Sequence, residues 1–150
     1  MTQLHQLAYI SRSLIKGSEA DIKREIEAIL SCSKKNNHKA EITGALFYSG
    51  GYFCQVLEGP IKPLVELYAR INSDDRHTGV TLLHFHAIEK RIFEHWSMAF
   101  AGIESKLQQQ ISYIKDSGEL LDNLEMEEKS RELVNFLDRL VRKHQSRVDT

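Results

Sequence analysis

The feature that most constrains this chain is a pair of β-prone segments separated by Ser49-Gly50-Gly51. Residues 42–48 and 52–57 are rich in apolar and aromatic side chains, and Gly50-Gly51 stands between them. Glycine adopts the positive φ angles that tight turns require, so the pattern predicts a β-hairpin. Because alternate residues of a strand lie on the same face, Gln55 is expected among apolar neighbours. A primary amide in such surroundings needs a hydrogen-bond partner, which either the protein or a ligand must supply.

The order of the predicted elements indicates an α+β fold. A first strand over 4–10 is followed by a helix that begins at Ser18, by the hairpin, by a second helix opened by Pro60, and by strands over 80–88 and 93–101. Strand-helix-strand-strand-helix-strand is the ferredoxin-like order, and it predicts a mixed five-stranded sheet with the two helices on one face. The first strand carries apolar residues on both faces, so we expect it to be central and covered on both sides.

The C-terminal part of the chain has a different pattern. Apolar residues recur at helical spacing, and a last helix is predicted to begin near Asp122. We therefore divide the chain into a domain over 1–102 and a helical extension over 103–150. The apolar stripe of the extension must be buried, either on the sheet face that the first two helices leave open or against another subunit.

Composition and charge exclude several classes of function. The 150 residues are 41% hydrophobic, which suits one packed domain of ordinary size. The net charge of -1 offers no basic excess for nucleic acid. We expect no membrane span and no secretion signal, and hence a cytoplasmic protein. Cys32 and Cys54 are interpreted as small core residues with reduced thiols. His84 and His86 lack zinc-site spacing, so no metal is expected.

Seven separated stretches of the chain form a recognisable set: residues 7–11, 36–37, 42–44, 53–59, 68–71, 74–77 and 91–98. Together these stretches resemble the BLUF family, the blue-light sensors that use FAD. They follow the order and spacing of the family, which makes the resemblance far more specific than one short motif. The resemblance implies that residues 1–102 form a flavin-binding photosensor domain. It also implies FAD as the cofactor, with FMN or riboflavin as substitutes.

The resemblance assigns photochemical roles to single residues. Tyr9 corresponds to the family's donor of an electron and a proton to the excited flavin. Gln55 corresponds to the glutamine that bridges the tyrosine hydroxyl to the N5/O4 edge of the ring. An amide can exchange the donor and acceptor that it presents, and rotation and tautomerisation of Gln55 both stay open. Trp96 and Met98 correspond to residues associated with signalling in the family.

The resemblance also assigns the residues that bind the cofactor. Asn37 corresponds to the family's flavin-binding asparagine, and Asn36 is its neighbour; both fall in the polar stretch 33–39, which is predicted to end the first helix. Arg70 and Asp74 lie one helical turn apart and correspond to flavin-contacting positions. Taken alone, tandem asparagines are typical of a helix end, and Arg70 with Asp74 is typical of an exposed ion pair.

We therefore expect a blue-light photoreceptor that is not an enzyme and that signals to a separate, unidentified protein partner. A homo-oligomer is expected, with no binding to nucleic acid or membrane. One alternative is a light-independent ferredoxin-like binding or regulatory module that keeps the scaffold without flavin. A second alternative is an acylphosphatase-like enzyme, which needs an arginine in a glycine-rich phosphate loop. Residues 11–13 contain Arg12 without the glycines.

Overall fold

The computed structural model describes residues 3–94, 99–102, 105–117 and 122–148 of the chain. The elements in order are β1 (Leu4–Ser13), α1 (Glu19–Lys39), β2 (Thr43–Ser49), β3 (Tyr52–Pro60), α2 (Ile61–Asn72), β4 (His77–Ile88), β5 (Ala99–Gly102), α3 (Ser105–Ser117) and α4 (Asn123–Val148). The fold class is α+β, as the sequence predicts, and the first six elements follow the ferredoxin-like order.

Four strands form an antiparallel sheet in the order β4-β1-β3-β2, and the short β5 joins its β2 edge in parallel orientation. The strand β1 is central, as its two apolar faces predict. Each helix crossover connects two parallel strands that have one other strand between them. The register sets Tyr9 of β1 opposite Gln55 of β3, and this pairing positions the site described below.

The predicted hairpin is confirmed. Ser49 pairs with Tyr52, so the loop consists of Gly50 and Gly51 alone. Their φ angles of 59° and 85° lie in the left-handed region, which glycine enters without a steric penalty. The two-residue turn matches the twist of the strands and thereby fixes the register of β2 against β3.

The predicted fifth strand over 93–101 is wrong at its start. The chain bends over 92–94, and β5 spans only Ala99–Gly102, while residues 95–98 lie outside the described part of the chain. The backbone N–H of Phe93 donates to a carboxylate oxygen of Glu58 at 2.7 Å, so a side chain of β3 accepts the hydrogen bond from this backbone group. The fourth strand also begins earlier than predicted, because its pairing with β1 continues to His77 opposite Ser13.

The first helix begins as predicted and ends later. Ser18 and Asp21 form the capping box, with each side chain bonded to the other's backbone N–H. The polar stretch 33–39 continues the helix to Lys39 instead of ending it. Burial of Asn37 contributes tertiary contacts, and basic residues in the last turn interact favourably with the helix dipole, so both effects support the extra turns.

Both faces of the sheet are covered by helices. The face that includes Leu7 and Leu57 packs against α1 and α2. The opposite face packs against α3 and α4, whose buried residues include Ile111, Ile114, Leu133 and Leu137. The apolar stripe of these helices therefore covers the sheet, which is the first of its two predicted locations. The domain boundary near residue 102 stays a prediction. Within the described residues, we find no helix with both the length and the apolar character of a membrane span.

Candidate functional site

A cavity of about 310 Å³ opens on the sheet face beneath α1 and α2. This volume lies at the lower end of the range typical of small-molecule sites. Six residues predicted to contact the cofactor line it together: Tyr9, Asn36, Asn37, Gln55, Arg70 and Asp74. They come from β1, β3, the last turns of α1, the end of α2 and the loop that follows α2, so residues far apart in sequence converge on one space.

Tyr9 and Gln55 form the floor of this cavity and are bonded to each other. The hydroxyl of Tyr9 donates to Oε1 of Gln55 at 2.6 Å. Only 4% of Tyr9 and 5% of Gln55 is exposed. Burial raises the pKa of Tyr9 far above its usual range, and the nearby Cys54 and Asp74 raise it further, so the phenol stays protonated. The sequence leaves open whether the protein or a ligand bonds to the buried amide of Gln55. In the structure, the hydroxyl of Tyr9 is one of its partners.

Asn36 and Asn37 occupy the last turns of α1 and differ in burial. Asn37 is 3% exposed, and its backbone carbonyl accepts from the N–H of Ile42 at 2.8 Å. Asn36 is exposed, and its Nδ2 donates to Sγ of Cys32 at 3.3 Å. The interpretation of Cys32 as a core residue is wrong, since this thiol is exposed at the rim of the cavity, whereas Cys54 is buried as predicted. The sequence around a cysteine in a helix does not show whether its thiol is buried in the core or exposed at the surface.

Asp74 is paired with a residue that the sequence interpretation did not single out. Its carboxylate accepts from Nη2 of Arg76 at 2.6 Å and from Nε at 2.9 Å. These bonds to the Arg76 side chain are the main cause that lowers the pKa of Asp74. Arg70, Asp74 and Arg76 all line the cavity, and the ion pair found there joins Asp74 to Arg76.

His77 is a second residue that the sequence interpretation missed. Its ring lies 6.0 Å from that of Tyr9 and 6.2 Å from that of Phe53. Nε2 of His77 is 2.6 Å from the carbonyl oxygen of Ile71, which can only accept, so Nε2 carries a proton, and Nδ1 lies 2.8 Å from Oγ of Ser11. The sequence signal that could have identified Arg76 and His77 is their position within the stretch 74–77, which matches the family.

The predicted signalling residues Trp96 and Met98 lie outside the described residues. The remaining lining includes the apolar side chains of Leu46, Phe53 and Ile71. This donor set suits a planar heteroaromatic ligand, because apolar walls contact the ring faces while amide and guanidinium groups meet polar ring edges.

Comparison with known proteins places this chain in a protein family. The family model described as BLUF, sensors of blue-light using FAD, matches residues 4–99. The photoactivated adenylate cyclase subunit beta of Euglena gracilis is 37% identical over 101 residues, which cover 67% of this chain and 11% of that protein. The blue light- and temperature-regulated antirepressor BluF of Escherichia coli strain K12 is 34% identical over 74 residues, or 49% of this chain and 18% of that protein.

Solved structures resemble the chain over more of its length. The dark-state structure of BlrB, a BLUF protein, aligns over 86% of this chain and 96% of its own, with a TM-score of 0.64 and 30% identity. The photo-activated state of BlsA aligns over 90% of this chain and 94% of its own, with a TM-score of 0.72. At 22% identity this second match shows similarity of fold alone. The chain spans about a tenth of the length of the cyclase subunit it matches.

Proposed function

This chain belongs to the BLUF family, whose members are sensors of blue light that use FAD, and we propose that it acts as a photoreceptor with its flavin in the cavity beneath α1 and α2. The observation that carries the proposal is the buried hydrogen bond from the Tyr9 hydroxyl to Oε1 of Gln55 on the floor of that cavity. An oxidisable phenol bonded to an amide that can reverse its donor and acceptor suits a light-driven rearrangement.

The cavity lining supports a flavin as the ligand. Leu46 and Phe53 offer apolar surface to the faces of a ring. The amide of Asn37 would accept from a ring N–H and donate to a ring carbonyl, while Arg70 would add a charged donor. Asn36 and Asp74 complete the proposed set at the cavity edge. We propose FAD because the family is described by it; FMN and riboflavin share its ring system and are the alternatives to compare.

A bound flavin would supply absorption of blue light and an excited acceptor for one electron and one proton. We infer that Tyr9 would be the donor and would give up one electron together with its hydroxyl proton. Oε1 of Gln55, which lies 2.6 Å from the hydroxyl, would accept this proton while Nε2 would release one towards the cofactor, so that the amide stays uncharged. The electron and a proton would then return to Tyr9, and the amide of Gln55 would stay rearranged by rotation or tautomerisation. The outcome is a changed hydrogen-bond pattern with no net reaction.

We propose that the signal passes to a separate protein partner and that the light-sensing residues perform no catalysis. The matched relatives are named an adenylate cyclase and an antirepressor, and the 101 matched residues correspond to only 11% of the cyclase subunit, which supports a division between sensing and effect. Trp96 and Met98 stay proposed signalling residues. A homo-oligomer and a cytoplasmic location belong to the same proposal. Free Cys32 and Cys54 agree with a reducing compartment.

A binding experiment tests the proposed function. The purified chain is offered FAD, FMN and riboflavin separately in excess, unbound flavin is removed, and absorption is recorded in darkness and after blue illumination. We expect a yellow protein whose spectrum shifts to the red in light and returns in darkness. A colourless protein with all three flavins, or a yellow one with no light-dependent shift, would contradict the proposal and favour the light-independent binding module.

A further inference from the structure

A chain of four polar side chains crosses the sheet face that α3 and α4 cover. Nε2 of Gln6 donates to Oε2 of Glu58 at 2.8 Å. Nε2 of His84 lies 2.7 Å from Oε1 of Gln6, and its Nδ1 bonds with Oγ of Ser130 on α4. Glu58 is fully buried, and Gln6 and Ser130 are exposed by only 3% and 1%. We call Gln6, Glu58, His84 and Ser130 the coupling network.

The donors of the coupling network all point towards Glu58. Gln6 uses Nε2 on the carboxylate, so its Oε1 is an acceptor and Nε2 of His84 carries the proton. Nδ1 of His84 then accepts from the hydroxyl of Ser130. Burial is the main cause that lowers the pKa of His84 to about 4, so the neutral ring that this pattern requires is present near pH 7. The orientation of each member therefore depends on that of its neighbour.

Glu58 also holds the backbone that leads out of β4. Its Oε1 accepts from the N–H of Phe93 at 2.7 Å, and its Oε2 accepts from the N–H of Ile92 at 3.0 Å. Nη1 of Arg91 donates to the carbonyl oxygen of Glu58 at 2.8 Å. One carboxylate thus connects the chain after β4 to the sheet and, through the network, to α4.

The coupling network and the photoactive pair share two strands. On β1 and β3, Tyr9 lies opposite Gln55, and three positions along the same strands Gln6 lies opposite Glu58. Three positions span about 10 Å and reverse the face of the sheet, so one pair faces the cavity and the other faces α4. Because both pairs depend on the same strand register, a displacement of β1 against β3 at one pair changes the geometry of the other.

The coupling network lies among apolar residues, so packing alone does not explain why its polar side chains are there. Apolar residues such as Ala8, Val56 and Val134 belong to the core cluster on this face. Buried polar groups there lower stability unless every one is bonded, and apolar side chains of similar size would pack as well. We propose that the coupling network transmits rearrangement of the Tyr9–Gln55 pair to α4 and changes how firmly α4 is held on the sheet. This inference rests on the proposed photoreceptor function.

Hydrogen–deuterium exchange of the flavin-loaded full chain, in darkness and under blue light, tests the coupling. Exchange of α4 amides is measured beside the absorption shift for the wild type, Ser130→Ala and Ser130→Thr. We expect Ser130→Ala to keep the red shift while the light–dark ratio of α4 exchange falls at least about fivefold, the lower end of typical coupling factors. Ser130→Thr keeps a hydroxyl and should retain most of the ratio. Val134→Ala is the matched control, because it loosens α4 and leaves every network bond intact.

Each outcome decides the inference. The inference is overturned if Ser130→Ala keeps the wild-type light–dark ratio of α4 exchange. It is also overturned if light does not change the exchange of wild-type α4 while the red shift is normal. If Ser130→Ala does not fold, as judged by circular dichroism, His84→Leu removes the same link from β4 and the same loss of the ratio is expected. A wild type without a red shift refutes the proposed function, and the coupling with it, so the two failures are told apart by the spectrum.

Discussion

Tyr9 and Gln55 lie directly opposite each other on β1 and β3, and the phenol hydroxyl donates to the amide Oε1 at 2.6 Å. This bond assigns the ends of the amide, since Oε1 faces the phenol and Nε2 is its donor end. Both residues are almost fully buried, so water does not compete for the bond. A rearrangement of the amide therefore exchanges one defined hydrogen-bond pattern for another.

Replacing Tyr9 by phenylalanine should separate photochemistry from folding. The ring contacts with Tyr68 and His77 stay, whereas the proposed donor of the proton and electron is lost. We expect Tyr9→Phe to fold with about 1 kcal/mol lower stability, to bind flavin, and to lose the normal red shift. Light-minus-dark absorption measures this. Tyr113→Phe, at an exposed position on α3, is the control and should behave as the wild type. A normal shift in Tyr9→Phe would contradict the role of the phenol.

The two asparagines of α1 should differ in their effect on flavin binding. Removing the buried amide of Asn37 leaves a polar ring edge without its partner, so Asn37→Ala should weaken binding about tenfold. Asn36 is exposed, and Asn36→Ala should cost less affinity. Titration by flavin fluorescence measures both, with exposed Lys35→Ala from the same turn as the control. Equal affinity of Asn37→Ala and the wild type would remove Asn37 from the proposed site.

The close approach of β2 to β3 depends on Gly44. A Cβ at this position would lie 2.1 Å from the carbonyl oxygen of Val56, so the backbone must move. Gly44→Ala should therefore lower the free energy of unfolding by about 3 kcal/mol. At Gly51 a Cβ meets no atom within 4 Å, and only the φ of +85° opposes a side chain, so Gly51→Ala should cost about 1 kcal/mol. Urea denaturation of both variants checks the order, and a larger loss for Gly51→Ala would contradict it.

His84 should make the stability of the fold sensitive to mild acid. Its pKa falls from 6.5 to about 4 on folding, mainly through burial and also through the nearby His86. Between these pH values the unfolded chain binds a proton that the folded chain does not, so stability falls as pH drops from about 6.5 towards 4. The contribution amounts to at most about 2 kcal/mol between pH 7 and pH 5.

Urea unfolding at pH 7 and pH 5 measures this dependence. His84→Asn should reduce the difference between the two free energies of unfolding, whereas His86→Asn, at an exposed neighbour, should retain most of it. An unchanged difference in His84→Asn would show that other groups cause the pH dependence.

Local patterns predict much of the fold, and the family resemblance adds six of the residues that line the cavity. Glycines at 50–51 determined the hairpin turn, and Ser18 with Asp21 determined the start of α1, because these depend on backbone conformations and bonds within a few residues. Alternation along β3 placed Gln55 on the same face as Phe53 and Leu57. The resemblance to the family then singled out the residues that the structure brings to one cavity.

The rest depends on contacts between distant parts of the chain. The alternation of apolar residues along β1 and β3 does not determine how the two strands pair. The direct opposition of Tyr9 and Gln55 is therefore seen only in the folded sheet. Glu58 takes its partners from Gln6, 52 positions away, and from Phe93, 35 positions away. Those bonds bend the chain where its apolar residues predicted a continuous strand. Likewise, the end of α1 was misjudged because the burial of Asn37 has no local signal.

The most direct test of the account compares light-minus-dark absorption spectra of the wild type and Gln55→Leu, both loaded with flavin. Gln109→Leu, at an exposed position on α3, controls for the loss of an amide. We expect all three proteins to be yellow, and the absorption of the wild type and of Gln109→Leu to shift reversibly to the red in light. The absorption of Gln55→Leu should not shift, because leucine presents no amide to the ring. A normal red shift in Gln55→Leu would contradict the central claim that this amide carries the light response.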